Sequence, residues 1–107
     1  MTTESHEPLP VLVRRALATE TIEEMAAELT RWPRGEVEQL AEELRACYDE
    51  SRQRLTEEYL AERERTCFEC RLLLDTCFRQ IQRHFDRLYG AIADTITAVL
   101  VTQEEIQ

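Results

Sequence analysis

From Glu36 to Tyr89 the chain carries neither glycine nor proline, and the run is built mainly of Glu, Arg, Leu and Ala. These residues lose little on entering a helix, and nothing in the run supplies the φ > 0 positions or ring-locked breaks that turns require. Such a stretch reads as helix throughout. The remainder agrees, because 107 residues hold only 2 Gly and 3 Pro. Phosphate-cradling loops, dinucleotide fingerprints and the many turns of a β-sandwich all need more. The expected fold is all-α, a small helical bundle in which residues 1–107 form a single domain.

Two apolar stripes run through the long segment. The first is Val37, Leu40, Ala41, Leu44, Tyr48, Ser51 and Leu55; the second is Cys67, Cys70, Leu74, Cys77, Ile81, His84 and Leu88, flanked by Phe78, Phe85, Tyr89 and Ile92. At about 100° per residue they are offset by about 80–90°. The drift has the wrong sign for a continuous heptad coiled coil. Between them, Thr56 to Arg65 is mostly charged and ends at Thr66-Cys67-Phe68-Glu69, a Thr-x-x-Glu capping box. The segment therefore reads as two long helices with a break near 56–66, and a single helix of about 80 Å is the alternative. Gly90 falls on the polar side, so the last helix is expected to cover 66–100. The β-branched run Thr95 to Thr102 could instead close the chain as an extended tail. No internal repeat stands out.

Ahead of this come two short helices. Leu9, Leu12, Val13, Ala16 and Leu17 mark an amphipathic helix over 9–18, with Pro10 suited to its first turn. Thr21 and Glu24 form a capping box that opens a second helix over 21–30, striped by Ile22, Met25, Ala26 and Leu29. Arg31-Trp32-Pro33-Arg34-Gly35 breaks the pattern, with Gly35 read as the residue that permits the turn. After a polar tail, 1–8, residues 9–55 thus make an acidic part like a helix-turn-helix. The run TIEEMAAEL…PRGEVEQLAEEL resembles the three-helix units of winged-helix proteins, some of which bind DNA and others proteins.

Charge separates those uses. The chain has 22 acidic residues against 13 basic ones, a net charge of -9, and every basic residue is arginine. Between residues 20 and 43 there are eight glutamates and two arginines. A helix entering the major groove needs Arg, Lys, Asn or Gln at its leading face, whereas this one displays Glu36, Glu38, Glu42 and Glu43. Acidic surface also repels phosphate. A protein partner, basic where it meets Glu38, Glu42 and Glu43, is expected rather than nucleic acid. Trp32 is either folded over its turn or an exposed anchor for that partner.

The cysteines are the sharpest motif: C-x2-C-x6-C at Cys67, Cys70 and Cys77, with His84 seven residues on. The first reading is buried core thiols, since Cys is often buried and these positions share a face with Leu74, Ile81 and Leu88. The second is a thiolate site for zinc or another thiophilic metal, or a redox sensor. On a helix, Cys67 and Cys70 lie about 4.5 Å apart along the axis and Cys77 about 10 Å further on. One helix therefore offers a metal only the first pair. Completing the site requires Cys47 or the same pair from a second subunit. No catalytic constellation emerges, because His84 lies two turns beyond Cys77.

The last helix has an apolar band nearly half its circumference, wider than one neighbour can cover. Either the chain's own short helices cover this band in a compact bundle, or a homodimer shares Cys70, Leu74, Cys77, Ile81, His84, Phe85 and Leu88; the homodimer is the leading expectation. The longest apolar runs, Leu72 to Leu74 and Ala98 to Val101, are far short of the ~20 residues that span a membrane. The polar start of the chain lacks the apolar core of a signal peptide. A cytoplasmic, non-enzymatic adaptor or regulatory subunit acting through protein–protein contact and oligomerisation is the leading expectation, with no cofactor. A metal or redox sensor built on Cys67 and Cys70, and a DNA-binding regulator, are the alternatives.

Overall fold

The computed structural model describes residues 9–106. They form four helices: α1 Val11–Leu17, α2 Ile22–Thr30, α3 Arg34–Arg65 and α4 Phe68–Ile106. This is the small all-α bundle that the pattern predicts, two short helices and then two long ones. The polar tail 1–8 lies outside the described residues. No described helix is long and apolar enough to cross a membrane.

Local chemistry sets each boundary. The Thr21 hydroxyl accepts from the Glu24 N–H at 3.0 Å, and the Glu24 carboxylate accepts from the Thr21 N–H at 3.2 Å. This reciprocal cap starts α2 as expected and contributes about 1 kcal/mol. Pro10 and Pro33 stand one residue ahead of α1 and α3, and their carbonyls accept the first helical bonds, from Arg14 and from Val37. Gly35 is not the turn residue. It lies inside the first turn of α3, and no glycine has a positive φ; Trp32 and Pro33 make the bend.

The break between the long helices falls at Thr66–Cys67, the far end of the expected window, so the charged segment 56–65 is helical. The capping box expected at Thr66 is not formed. Its hydroxyl donates back to the Glu62 carbonyl at 2.7 Å, closing α3, and the Cys67 carbonyl accepts from the N–H groups of Cys70 and Arg71 at 3.1 Å. The Arg71 guanidinium seals the corner by donating to the carbonyls of Arg63 and Thr66. The extended tail considered for Thr95 to Thr102 does not occur either. Thr95 and Thr102 bond the carbonyls four residues back, Ala91 and Ala98, which satisfies their hydroxyls inside α4.

Helices α3 and α4 make an antiparallel hairpin. At its base α1 and α2 cover one face, and there the core forms from Val13, Ala16, Met25, Leu29, Trp32, Val37, Leu40, Leu44, Ile92, Ile96 and Val99. The rest of the hairpin, from about Tyr48 to Leu88, projects as two helices. The molecule measures 58 × 32 × 21 Å with a radius of gyration of 17.4 Å, against about 13 Å for a compact domain of this length.

An internal repeat does exist, and the hairpin brings it into view. Tyr48 and Arg52 of α3 both bond Asp86 of α4, and Tyr59 and Arg63 both bond Asp75. Each set recurs after 11 residues, so three helical turns return it to the same face. The rings repeat with it. Tyr48 stacks on Phe85 and Tyr89 with centroids 5.2 and 4.1 Å apart, and Tyr59 stacks on Phe78 at 4.0 Å. One repeat further toward the base the positions are Val37, Ile96 and Leu100, aliphatic and covered by the short helices.

Candidate functional site

The apolar face of α4 is continuous, and its cover is not. Ile92, Ile96 and Val99 are buried at the base. Along the same face toward the tip, Leu88 is 59% and Ile81 51% exposed. Cys77, His84 and Cys70 are exposed as well, while Leu74 and Phe85 are half-buried. Cys70, Leu74, Cys77, Ile81, His84 and Leu88 follow one another at alternating steps of four and three, the spacing of a helix seam. Where α1 ends, Leu9, Val13 and Leu17 meet Phe85, Leu88 and Ile92 in an apolar groove that leads onto this stripe.

Core thiols are therefore not what the structure contains. Cys67, Cys70 and Cys77 are exposed, and only Cys47 is half-buried against the core. Burial raises the Cys47 thiol above its ordinary pKa, helped by Glu50 and Glu43. Cysteine's usual preference for burial predicts a covering element, and α1 and α2 are too short to reach these three. His84 is exposed on the same face. Cys47 sits roughly 30 Å down α3 from the turn, so it cannot join Cys67 and Cys70 in one chain. Among the described residues no group of three or more Cys, His, Asp or Glu converges on a metal position. The pair could supply two of the four thiolates of a tetrahedral zinc site, the others coming from a second subunit.

Cys67 stands immediately ahead of α4, and Cys70 is in its first turn. The Cys70 N–H bonds the Cys67 carbonyl at 3.1 Å, a closed turn that sets the Cys67 thiol beside the Cys70 thiol and the N–H donors that open α4. These donors hold the Cys67 thiol below its ordinary pKa; the bond to Cys67 and the charge there push Cys70 up. Around them the tip is apolar: Phe68 is 76% exposed and Leu72 and Leu73 are each 69% exposed, with exposed Leu60 on α3.

The residues expected to meet a partner divide. Trp32 is 4% exposed. Its indole donates to Glu28 at 3.3 Å, the Arg15 guanidinium covers its ring at 4.3 Å, and its carbonyl accepts from Gln103 at 2.9 Å. It is a core residue, not a free anchor. Glu38 and Glu42 are exposed one turn apart on α3, Glu38 paired with Arg34 at 3.4 Å. Glu43 turns away from them, bonded to Gln39 at 2.8 Å beside Leu9 and Pro10 of the α1 end. The three carboxylates do not make one patch.

The Tyr–Asp–Arg clasps are not evident from any one segment of the sequence. The signal that could have found them is Tyr-x3-Arg at 48–52 and again at 59–63, matched by Asp75 and Asp86 at the same separation of 11. Compared with protein-family models, with curated proteins and with solved structures, the chain matches none.

Proposed function

We propose that the chain is a non-enzymatic adaptor or regulatory subunit of the cytoplasm that works as a homodimer. The observation that carries this is the exposed apolar stripe of α4, which continues the face covered by α1 and α2 at the base. The occupant of the uncovered part is a second copy, so that two hairpins complete a four-helix bundle.

Two further observations support the second copy. The chain exposes 7790 Å², against about 6,200 Å² for a compact monomer of its mass. The surplus suffices for an interface of standard size, which takes about 800 Å² from each partner. The hairpin edges also carry opposite charge. Arg79, Arg83 and Arg87 of α4 are exposed with no ion-pair partner among the described residues, and so are Glu57, Glu58 and Glu64 of α3. Under a two-fold axis the α4 edge of each copy can meet the α3 edge of the other. Glu38 and Glu42, far from the stripe, remain open to a basic protein partner.

Native mass spectrometry of the whole chain tests the reading. The wild type should carry two subunits, and Ile81→Glu with Leu88→Glu should carry one at unchanged helicity, since both positions are exposed. A monomeric wild type at micromolar concentration would overturn it.

A further inference from the structure

We propose that Cys67 and Cys70 form a redox-active dithiol at the hairpin tip, which exchanges with the disulfide of a peptide or small thiol. The inference does not rest on the homodimer. It rests on two exposed thiols one closed helical turn apart, the Cys70 N–H bonding the Cys67 carbonyl at 3.1 Å, a spacing a disulfide can bridge, at a corner fixed by other bonds.

The placement assigns the two roles. Cys67 lies immediately ahead of α4, where the first N–H groups of the helix have no partner within it and point toward the open end. Those donors stabilise a thiolate, and the thiolate is the attacking species. Cys70 keeps its proton until Cys67 has reacted, which suits the resolving thiol. Cys77, exposed on the same helix, lies about 10 Å along the axis from Cys70 and cannot resolve a bond at Cys67.

The exchange balances without a metal or other cofactor. The Cys67 thiolate attacks one sulfur of R–S–S–R, forming a Cys67–S–S–R bond while the S–S bond of the reagent breaks and RS⁻ leaves. The Cys70 proton passes to that leaving thiolate. The Cys70 thiolate then attacks the Cys67 sulfur, forming the Cys67–Cys70 disulfide and expelling the second RS⁻, which takes a proton from water. The dithiol loses two electrons and the small disulfide gains them. Exposed Phe68, Leu72 and Leu73 beside the pair favour a disulfide with apolar flanks.

The test uses the reduced whole chain and 2-hydroxyethyl disulfide, an uncharged probe whose approach is not biased by the net charge of -9. Peptide mass spectrometry after acid quenching should find a Cys67–Cys70 disulfide as the main product. With limiting iodoacetamide at neutral pH, Cys67 should be alkylated several-fold faster than Cys77, the exposed internal reference. A larger factor is not expected, because each unit of lowered pKa also costs a thiolate about threefold in nucleophilicity. Cys70→Ser should leave a lasting mixed disulfide on Cys67. Equal alkylation of Cys67 and Cys77, or products joined mainly through Cys77, overturns the inference, as does a Cys70→Ser chain with no mixed disulfide at Cys67.

Discussion

A single side chain's surroundings decide most of what can be tested by substitution, and Gly90 is the simplest case. It sits inside α4 with helical backbone, and a Cβ built there meets nothing within 4 Å. Glycine in a helix interior costs about 0.5–1 kcal/mol relative to alanine, chiefly through the freedom of the unfolded chain. Gly90→Ala should therefore raise the melting temperature, by about 4–8 °C for each kcal/mol gained. Calorimetry reads this directly, and an unchanged or lower melting temperature would mean the site is crowded. At this scale the sequence was informative about some residues and misleading about others. The burial of Trp32 follows from the bend that Pro33 imposes beside a ring needing cover. The exposure of Cys67, Cys70 and Cys77 does not follow, because a stripe's phase identifies an apolar face without saying how far the covering helices extend.

Helix pairing, not local sequence, creates the clasps. Tyr48 and Arg52 are one turn apart on α3, but Asp86 reaches them only after the hairpin closes. The Tyr59 clasp sits where two helices, with no third, must hold register, and its charges anchor a seam that stacked rings alone would let slide; the Tyr48 clasp lies beside Leu9 and Leu17 at the α1 end. The Arg52 guanidinium bonds both Asp86 oxygens, at 3.1 and 3.3 Å, and Arg63 bonds Asp75 at 3.1 Å. Hydrogen bonds from Arg52 and Tyr48 hold Asp86 below the usual carboxylate range, and those from Tyr59 and Arg63 hold Asp75 there. A carboxylate whose folded pKa is depressed stabilises the fold above its unfolded pKa, about 3.9, and loses that contribution as pH falls through the lower folded value. The hairpin should consequently loosen below about pH 4. Asp75→Asn and Asp86→Asn should be less stable than the wild type at neutral pH, with the gap closing in acid. Urea melts at neutral pH and near pH 2 give the comparison; a gap that persists in acid would assign it to packing instead. The position of the break between α3 and α4 was legible as a zone of charge. Its final place depends on Arg71 turning back to the carbonyls of Arg63 and Thr66, which no local pattern announces.

At the scale of the molecule, stability is divided between a base with a core and a projecting hairpin without one. The all-α class and the order of short and long helices were legible, because periodicity and the lack of breakers determine them. How the long helices fold back was not, since one extended helix has the same local grammar as a hairpin until Thr66 and Cys67 leave it. Amide hydrogen exchange should report the division. Residues near Val37–Leu44 and Ile92–Val99, buried beneath α1 and α2, open only with the whole fold and should exchange slowest. The section from about Ser51 to Phe85 has few buried apolar contacts of its own and opens at lower cost in a single chain. If a second copy covers the α4 stripe, the Ile81→Glu, Leu88→Glu chain should exchange faster than the wild type in this section, with the base unaltered. Equal protection in the two chains would mean that the clasps and stacked rings hold the hairpin by themselves, and that the stripe faces solvent for another reason.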